Sequence, residues 1–396
     1  MNSKSKVPQI RFKGFSGEWE EKKFGELAEV RRGLTYKPTD VNDNGVKVLR
    51  SSNILDDTFV NNKDDVYVNE EAINIKYIAE HDILITSANG SSRLVGKHAI
   101  IQNLRTKTVH GGFMLLVSSK NPFFLNSSMS SSWYNKFINK YVSGGNGAIG
   151  NLSKNDLEEQ YIYVPETNEQ TKIGNYFQHL DKLIEQKEKK YQKLRQFKKA
   201  MLDRMFPKNG VATPEIRFKG FSGEWEEKEL DEIVNRYDNL RVPISATNRV
   251  SGNTPYYGAN GIQGYVKGYT HDGEFILVAE DGANDLKNYP VQYVNGKIWV
   301  NNHTHVLQAK KDVTDNGFLK FAISKINIEP FLVGGGRAKL NANIMMKINI
   351  NVPSEINEQT KIGNYFQHLD KLINLHLQEM KKLKNIKKAS LEKMFV

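Results

Sequence analysis

The chain contains no cysteine among its 396 residues, which removes disulfides and thiolate zinc sites from consideration. It also lacks any apolar run of membrane-spanning length, and its opening stretch, MNSKSKVPQIRFKG, has no signal-peptide core. These absences predict a soluble, cytoplasmic protein. The apparatus of catalysis is missing as well. An adenine methyltransferase acting alone needs an acidic or amide Pro-Pro-aromatic tetrad. The nearest match, Asn121-Pro122-Phe123-Phe124, lacks the second proline and stands where a helix is predicted to begin. No glycine cluster has the strand-turn-helix spacing of a nucleotide fingerprint. Glu280-Asp281 has no companion acid-lysine pair, and Asp281-Gly282 reads as a turn. His303 and His305 lack a third ligand nearby in the sequence, so they are assigned to packing and no metal site is expected.

What the chain does have is repetition and positive charge. Residues 10–22, IRFKGFSGEWEEK, return unchanged at 216–228, and residues 168–184, NEQTKIGNYFQHLDKLI, return unchanged at 357–373. The stretches between, about 25–165 and 231–352, do not resemble each other. The order is repeated frame, insert, repeated frame, second insert, which is domain duplication rather than a solenoid. The net charge is +11, and residues 185–208 and 374–396 carry a surplus of ten between them, leaving the inserts close to neutral. A Lys-rich helix face stays soluble with or without an anionic partner, so the charge permits nucleic-acid binding without establishing it.

The second repeat has helical periodicity. Ile173, Tyr176, Leu180, Leu183, Leu194 and Phe197 fall at steps of three and four or their multiples, and the copy supplies Ile362, Tyr365, Leu369, Leu372, Leu383 and Ile386. The seven-residue series Ile173, Leu180, Leu194, Met201 resembles a coiled-coil seam, broken by Lys187 and Lys190 in one copy and by His376 and Glu379 in the other. Asn168 and Asn357 are the expected helix starts, and Pro207 and Gly210 stop the first helix near Phe206. Each helix is then roughly 50 Å long. The economical arrangement packs the two against each other, antiparallel; the alternative docks each on a separate protein. The inserts read as mixed α/β. Predicted strands are 46–50, 82–86, 99–102, 114–117 and 161–164 in the first, and 275–278, 297–300, 305–308 and 347–352 in the second. Predicted helices are 122–142 and 316–333, and each insert closes on a glycine cluster, at 143–150 and 334–337. The boundaries that follow are 1–165 for the first frame and insert, 166–207 for the first helix, 208–353 for the second frame and insert, and 354–396 for the second helix.

This plan resembles the specificity subunit of Type I restriction-modification systems. The motif Asp82-Ile-Leu-Ile-Thr-Ser, followed by Gly96-Lys97-His98-Ala99-Ile100-Ile101, is similar to that family's strand-loop-strand element. So are Pro255-Tyr-Tyr-Gly-Ala-Asn-Gly-Ile-Gln-Gly-Tyr, Phe275-Ile-Leu-Val-Ala-Glu-Asp-Gly-Ala-Asn, Val300-Asn-Asn-His-Thr-His-Val-Leu and Gly334-Gly-Gly-Arg-Ala-Lys-Leu-Asn to elements of one target-domain subtype. The first insert departs in Gly144-Gly145-Asn146-Gly147, which has no arginine where Arg337 stands. The resemblance implies an α+β chain: two globular α/β target recognition domains, two long antiparallel coiled-coil-like helices, and a pseudo-twofold internal repeat. It implies a non-catalytic subunit that binds double-stranded DNA, each target domain reading one half-site of an asymmetric bipartite target while the helices set the gap. It implies two modification (methyltransferase) subunits that use S-adenosylmethionine, and restriction (translocase and endonuclease) subunits that use ATP and Mg, with no cofactor on this chain.

Base reading in the major groove needs forked donors for guanine and amides for adenine. Loop positions with that chemistry are Arg50, Ser51, Ser52, Asn53, Ser87, Asn89, Ser91, Ser92 and Arg93 in the first insert. In the second they are Tyr256, Tyr257, Asn260, Gln263, Asn301, Asn302 and His303, with Arg337 and Lys339 as expected phosphate contacts. Ser, Asn and Gly also mark turns whatever the function. A non-catalytic adaptor that binds proteins through its helices is the rival reading, and specific DNA binding that tracks the inserts separates the two.

Overall fold

The computed structural model describes residues 6–62, 65–142, 150–208, 210–334 and 338–396. The chain divides into two compact units, one running to Lys187 and taking in Glu379–Val396, the other comprising Glu188–Gln378. Each unit holds one insert, one frame and a stretch of both long helices.

The long helices span Thr167–Met205 and Ile356–Lys393. Each begins one residue ahead of the expected asparagine. The Gln170 and Gln359 amides secure these starts by donating back to the carbonyls of Pro165 and Pro353, at 2.8 and 2.9 Å. Within the first unit the two helix stretches run antiparallel: Tyr176 meets Ser390 at 3.0 Å, Asp181 meets Lys387 at 2.6 Å, and Lys187 meets Glu379 at 2.6 Å. The polar interruption of the seam is therefore, in part, a cross-helix ion pair. In the second unit Lys198 pairs with Asp370, the same relation 189 positions along.

Packing on the helices differs from a plain two-helix seam. Ile173, Leu180, Ile362 and Leu369 are buried as expected, but Phe197 and Ile386 are exposed, at 48% and 38%. Phe177 and Phe366, which the seven-residue series omits, are nearly inaccessible. The reason is that each insert covers a wider stripe at the start of its helix than a partner helix alone would. Gly174 and Gly363 make that contact possible. A Cβ on Gly174 would stand 2.7 Å from the amide nitrogen of Phe124, and one on Gly363 would stand 2.6 Å from that of Phe318. In both units the start of an insert helix lies directly on the long helix.

The frames tie these parts together identically. Strand Glu20–Lys23 pairs antiparallel with Tyr161–Val164, and Glu226–Glu229 pairs antiparallel with Asn349–Val352. Arg11 forks onto the fully buried Glu169 with two bonds of 2.7 Å, and Arg217 onto Glu358 at 2.6 and 2.7 Å. Phe395 packs on Trp19, Phe124 and Phe177; Phe206 packs on Trp225, Phe318 and Phe366. The Met-Phe pairs 205–206 and 394–395 thus extend the repeat beyond the two identical stretches.

The inserts share a four-strand antiparallel order, the opening strand beside the closing strand and then a middle pair, and they differ in what is added to it. In the first unit an antiparallel sheet runs in the order Ala28–Arg32, Met114–Ser119, Ile83–Thr86, His98–Ile100. A smaller sheet sets Val41–Leu49 between Thr108–His110, which is parallel to it, and Val66–Val68. The predicted helix 122–142 is two helices, Pro122–Met129 and Ser132–Tyr141, because Ser130 and Ser131 turn their hydroxyls onto preceding carbonyls and close the first. In the second unit six strands run in the order Val234–Arg236, Thr304–Ala309, His271–Ala279, Val291–Val300, Ser251–Gly258, Gly261–Val266. Its helix is short, Asn316–Ser324, capped by the Asp315 carboxylate, and Pro330 sits in the 3-10 turn that follows.

Candidate nucleic-acid interface

In the first unit the loops after Val41–Leu49 and after Ile83–Thr86 come together. Asn89 donates its amide to Ser51 Oγ at 3.1 Å, and Asn89 also pairs with Gly150 across a two-residue ladder. A third segment joins them: the Phe113 carbonyl accepts from the backbone of Ser87 at 2.9 Å and of Ala88 at 3.1 Å. That fixes the backbone of a phenylalanine whose side chain is 73% exposed. Arg50, Ser52, Ser91, Ser92 and Arg93 lie at the surface here, and Ser51 and Asn89 are half-buried. Asn53 and Ser87 are buried. Asn53 accepts from the Arg50 amide at 2.8 Å and donates to Asp65 at 2.7 Å, so it shapes the loop from inside and does not face solvent.

In the second unit four segments converge: the 258–263 hairpin turn, 280–284, 301–303 and the chain at Lys339. Asn260 donates to the Gly282 carbonyl at 2.9 Å and accepts from Asn284 at 3.0 Å; Asn301 N reaches the Tyr257 carbonyl at 3.1 Å. His303 meets Asp281 at 2.6 Å. Asn260, Gln263 and Asn302 are exposed, while Tyr257 and His303 are half-buried. Tyr256 and Asn301 are not available to a ligand. Tyr256 is 1% exposed beneath the Arg249 guanidinium, which stacks 3.9 Å above its ring; the buried Asn301 side chain accepts from His303 N at 2.9 Å. Arg249 also reaches Gln263 Oε1 at 3.4 Å. Arg337 and the cluster at 143–149 lie outside the described residues.

Beneath this face lies a charged knot. His305 Nδ1 faces Asp238 at 2.7 Å and its Nε2 faces the Leu340 carbonyl at 2.9 Å. Arg241 meets Glu280 at 2.5 Å and Lys339 meets Glu280 at 2.8 Å. Asp238, Glu280 and His305 offer atoms within 4.8 Å of one another, a spacing that suits a metal ion. The sequence expectation of no third ligand near His305 missed this trio because its carboxylates come from distant segments. With Arg241 and Lys339 already on the acids, the arrangement is an ion-pair network fastening the glycine-loop strand to the sheet. Burial pushes both carboxyls up, but the His305 bond to Asp238, and the Lys339 and Arg241 bonds to Glu280, overcome it and hold both below the usual range. Lys339, expected as a phosphate contact, is committed to Glu280 in this state.

Both loop faces offer amides, hydroxyls and guanidinia on loops fixed by backbone bonds, and the second adds the His303–Asp281 pair.

Comparison with known proteins fits this construction. A family model described as the Type I restriction modification DNA specificity domain matches residues 16–196 and again 222–385. The chain belongs to the specificity-subunit family of Type I restriction-modification systems. The two matches cover the two frame-and-insert modules, so the duplication seen in the sequence is a duplication of the family's domain. A putative type I restriction enzyme specificity subunit of Haemophilus influenzae is 46% identical over 155 residues, a match covering 39% of this chain and 39% of that protein. The putative type I restriction enzyme MjaX specificity subunit of Methanocaldococcus jannaschii is 26% identical over 94% of this chain and 91% of its own length. The crystal structure of the Type I system S subunit from M. genitalium has the same fold, with a TM-score of 0.73 at 15% identity over 98% of this chain and 99% of that one. No helix among the described residues is long and apolar enough to cross a membrane.

Proposed function

We propose that this specificity subunit reads double-stranded DNA through the two loop faces, each taking one half of a split, asymmetric target. The observation that carries the proposal is duplicated frames, alike to the hydrogen bond, holding loop faces of different construction. In the first, Arg50, Ser52, Asn89 and Ser91 are the reading groups, and Phe113, which the sequence reading passed over, supplies an apolar contact for a thymine methyl or a base step. In the second, Asn260, Gln263, Asn302, His303 and Arg249 do the reading. Arg249 lay in a stretch with no motif, and Phe113 directly precedes a predicted strand; an aromatic behind the pair Gly111-Gly112 was the one available signal. The chain supplies recognition and no chemistry. The chemistry belongs to methyltransferase subunits carrying S-adenosylmethionine and to restriction subunits using ATP and Mg. Apolar side chains still exposed on the long helices, Phe197, Leu375 and Ile386 among them, suit the docking of such partners.

Mapping N6-methyladenine by single-molecule sequencing, in a host supplying a modification subunit with and without this chain, tests the reading. A new split motif with a fixed unread gap is the expected result. Co-purification with the modification subunit and no new methylation, together with no binding to duplex DNA, would leave a protein adaptor.

A further inference from the structure

The first unit contains a cavity of about 580 Å³ that the reading loops do not explain. Its walls are the segment 92–98, the helix Ser132–Tyr141 and the closing turns of the C-terminal helix. Five cations line it, Arg93, Lys97, Lys384, Lys387 and Lys388, against one acid, Asp57. Lys387 is tied to Asp181 on the facing helix at 2.6 Å. Among the described residues, Arg93, Lys97 and Lys388 have no carboxylate partner. The floor adds no charge that could offset them: Tyr134 donates to the Gly96 carbonyl at 2.9 Å, and burial drives the His98 imidazole below its usual value, toward the neutral form.

Lysines scattered around a helix for solubility would not need an arginine from another segment aimed into the same hollow. In the second unit Lys198, the repeat counterpart of Lys387, pairs with Asp370 as Lys387 does with Asp181, and there a lysine of the insert helix, Lys320, joins the same carboxylate, both ammonium groups lying against the Phe321 ring.

We propose that this cavity is a phosphate site that takes the DNA backbone as it leaves the first reading loop. Such a site rests on the proposed DNA reading and extends it to the C-terminal helix. Arg93 belongs to the 3-10 turn Ser92–Leu94, directly after Asn89 and Ser91, so the basic wall begins where the base-reading groups end. Phosphates bound here position the duplex without sequence preference.

The test uses the full chain and fluorescence anisotropy across a salt series, with a duplex carrying the mapped target and with an unrelated one. Removing one cation that neutralises a phosphate lowers the slope of log K against log salt by about 0.9. R93Q/K388Q should therefore lose about 1.8 from the slope on both duplexes. K381Q/K382Q, equal in charge loss but outside the cavity, should leave it near the wild-type value. Both variants should melt like the wild type, since the replaced groups are exposed. Calorimetric titration with inorganic pyrophosphate separates the sources of phosphate. Binding that R93Q/K388Q abolishes would keep the site but make its ligand a free phosphate. Equal slopes for the two variants, with no pyrophosphate binding, would overturn the proposal, as would loss of modification-subunit co-purification alone. Should the wild type bind no duplex at all, the DNA reading fails first and the pyrophosphate arm decides the cavity.

Discussion

Replacing Gly174 or Gly363 by alanine sets two effects of opposite sign against each other. In an open helix the change is favourable by about 1 kcal/mol, because glycine carries the larger entropic cost on folding. Here the added Cβ of Gly174 would meet Phe124 N at 2.7 Å and the Phe123 Cβ at 3.0 Å, and that of Gly363 would meet Phe318 N at 2.6 Å and Gly317 C at 2.7 Å. These neighbours are mostly backbone, so no rotamer change relieves the clash, and the insert helix must move off the long helix. Overpacking of this kind typically costs about 1–3 kcal/mol, and a backbone-on-backbone contact belongs at the upper end. The clash therefore wins. G174A and G363A should each lower the stability of their own unit by about 1–3 kcal/mol, or roughly 2–4 °C in Tm per kcal/mol for units of this size. Asn175→Ala, exposed one residue on, should raise stability slightly through propensity alone. Thermal unfolding would give the sign, and hydrogen exchange at 122–129 and 316–324 would show which insert helix has loosened. A G174A variant as stable as N175A would refute close helix contact as the reason for glycine.

Four further outcomes follow from the geometry. Removing Glu169 or Glu358 leaves a largely buried guanidinium without its carboxylate, so E169A and E358A should each cost about 3–5 kcal/mol in denaturant unfolding, with little further loss in R11A/E169A relative to E169A. His110 is buried, and burial lowers its pKa to about 4; the unfolded chain binds that proton first, so stability should fall as pH drops from about 6.5 to about 4, by about 3 kcal/mol, and H110Q should flatten that part of the profile. F113A should leave the melting temperature unchanged and weaken methylation of targets at the first half-site only, by about tenfold, read as methylated fraction per site. R249Q should relax one position of the second half-site without changing the first, visible as a broadened motif in the same maps.

Sequence made the architecture readable because the repeat is literal. Identical frame residues must make identical contacts, and Arg11–Glu169 with Arg217–Glu358 shows that they do. Helical periodicity found the long helices to within a residue at their starts, yet misjudged their packing. A seven-residue series describes two helices meeting along a line, whereas Phe177 and Phe366 are buried by an insert arriving from the side. The inserts were legible only in part. Strands with contiguous apolar runs, such as Ile83–Thr86, were evident; the hairpin Ser251–Gly258 with Gly261–Val266 was not, since its Tyr, Asn and Gly residues give no clean alternation.

The candidate site illustrates the same limit at the level of single residues. Polar loop residues look alike in sequence whether they face the ligand or the loop's own backbone. Arg50 and Asn53 are three positions apart; one is exposed and the other has no accessible surface and holds the turn together. Asn301 and Asn302 are neighbours with the same division of labour. The buried member of each pair is what allows the exposed one to be held in place, because a reading group on an unsupported loop would lose its orientation to entropy before it met a base. Two copies of one frame can thus carry different specificities. The buried amides and the charged knot around Asp238 fix each loop locally, so either insert can change its surface residues without disturbing the Arg–Glu forks, the glycine contacts or the Met-Phe pairs that seat it.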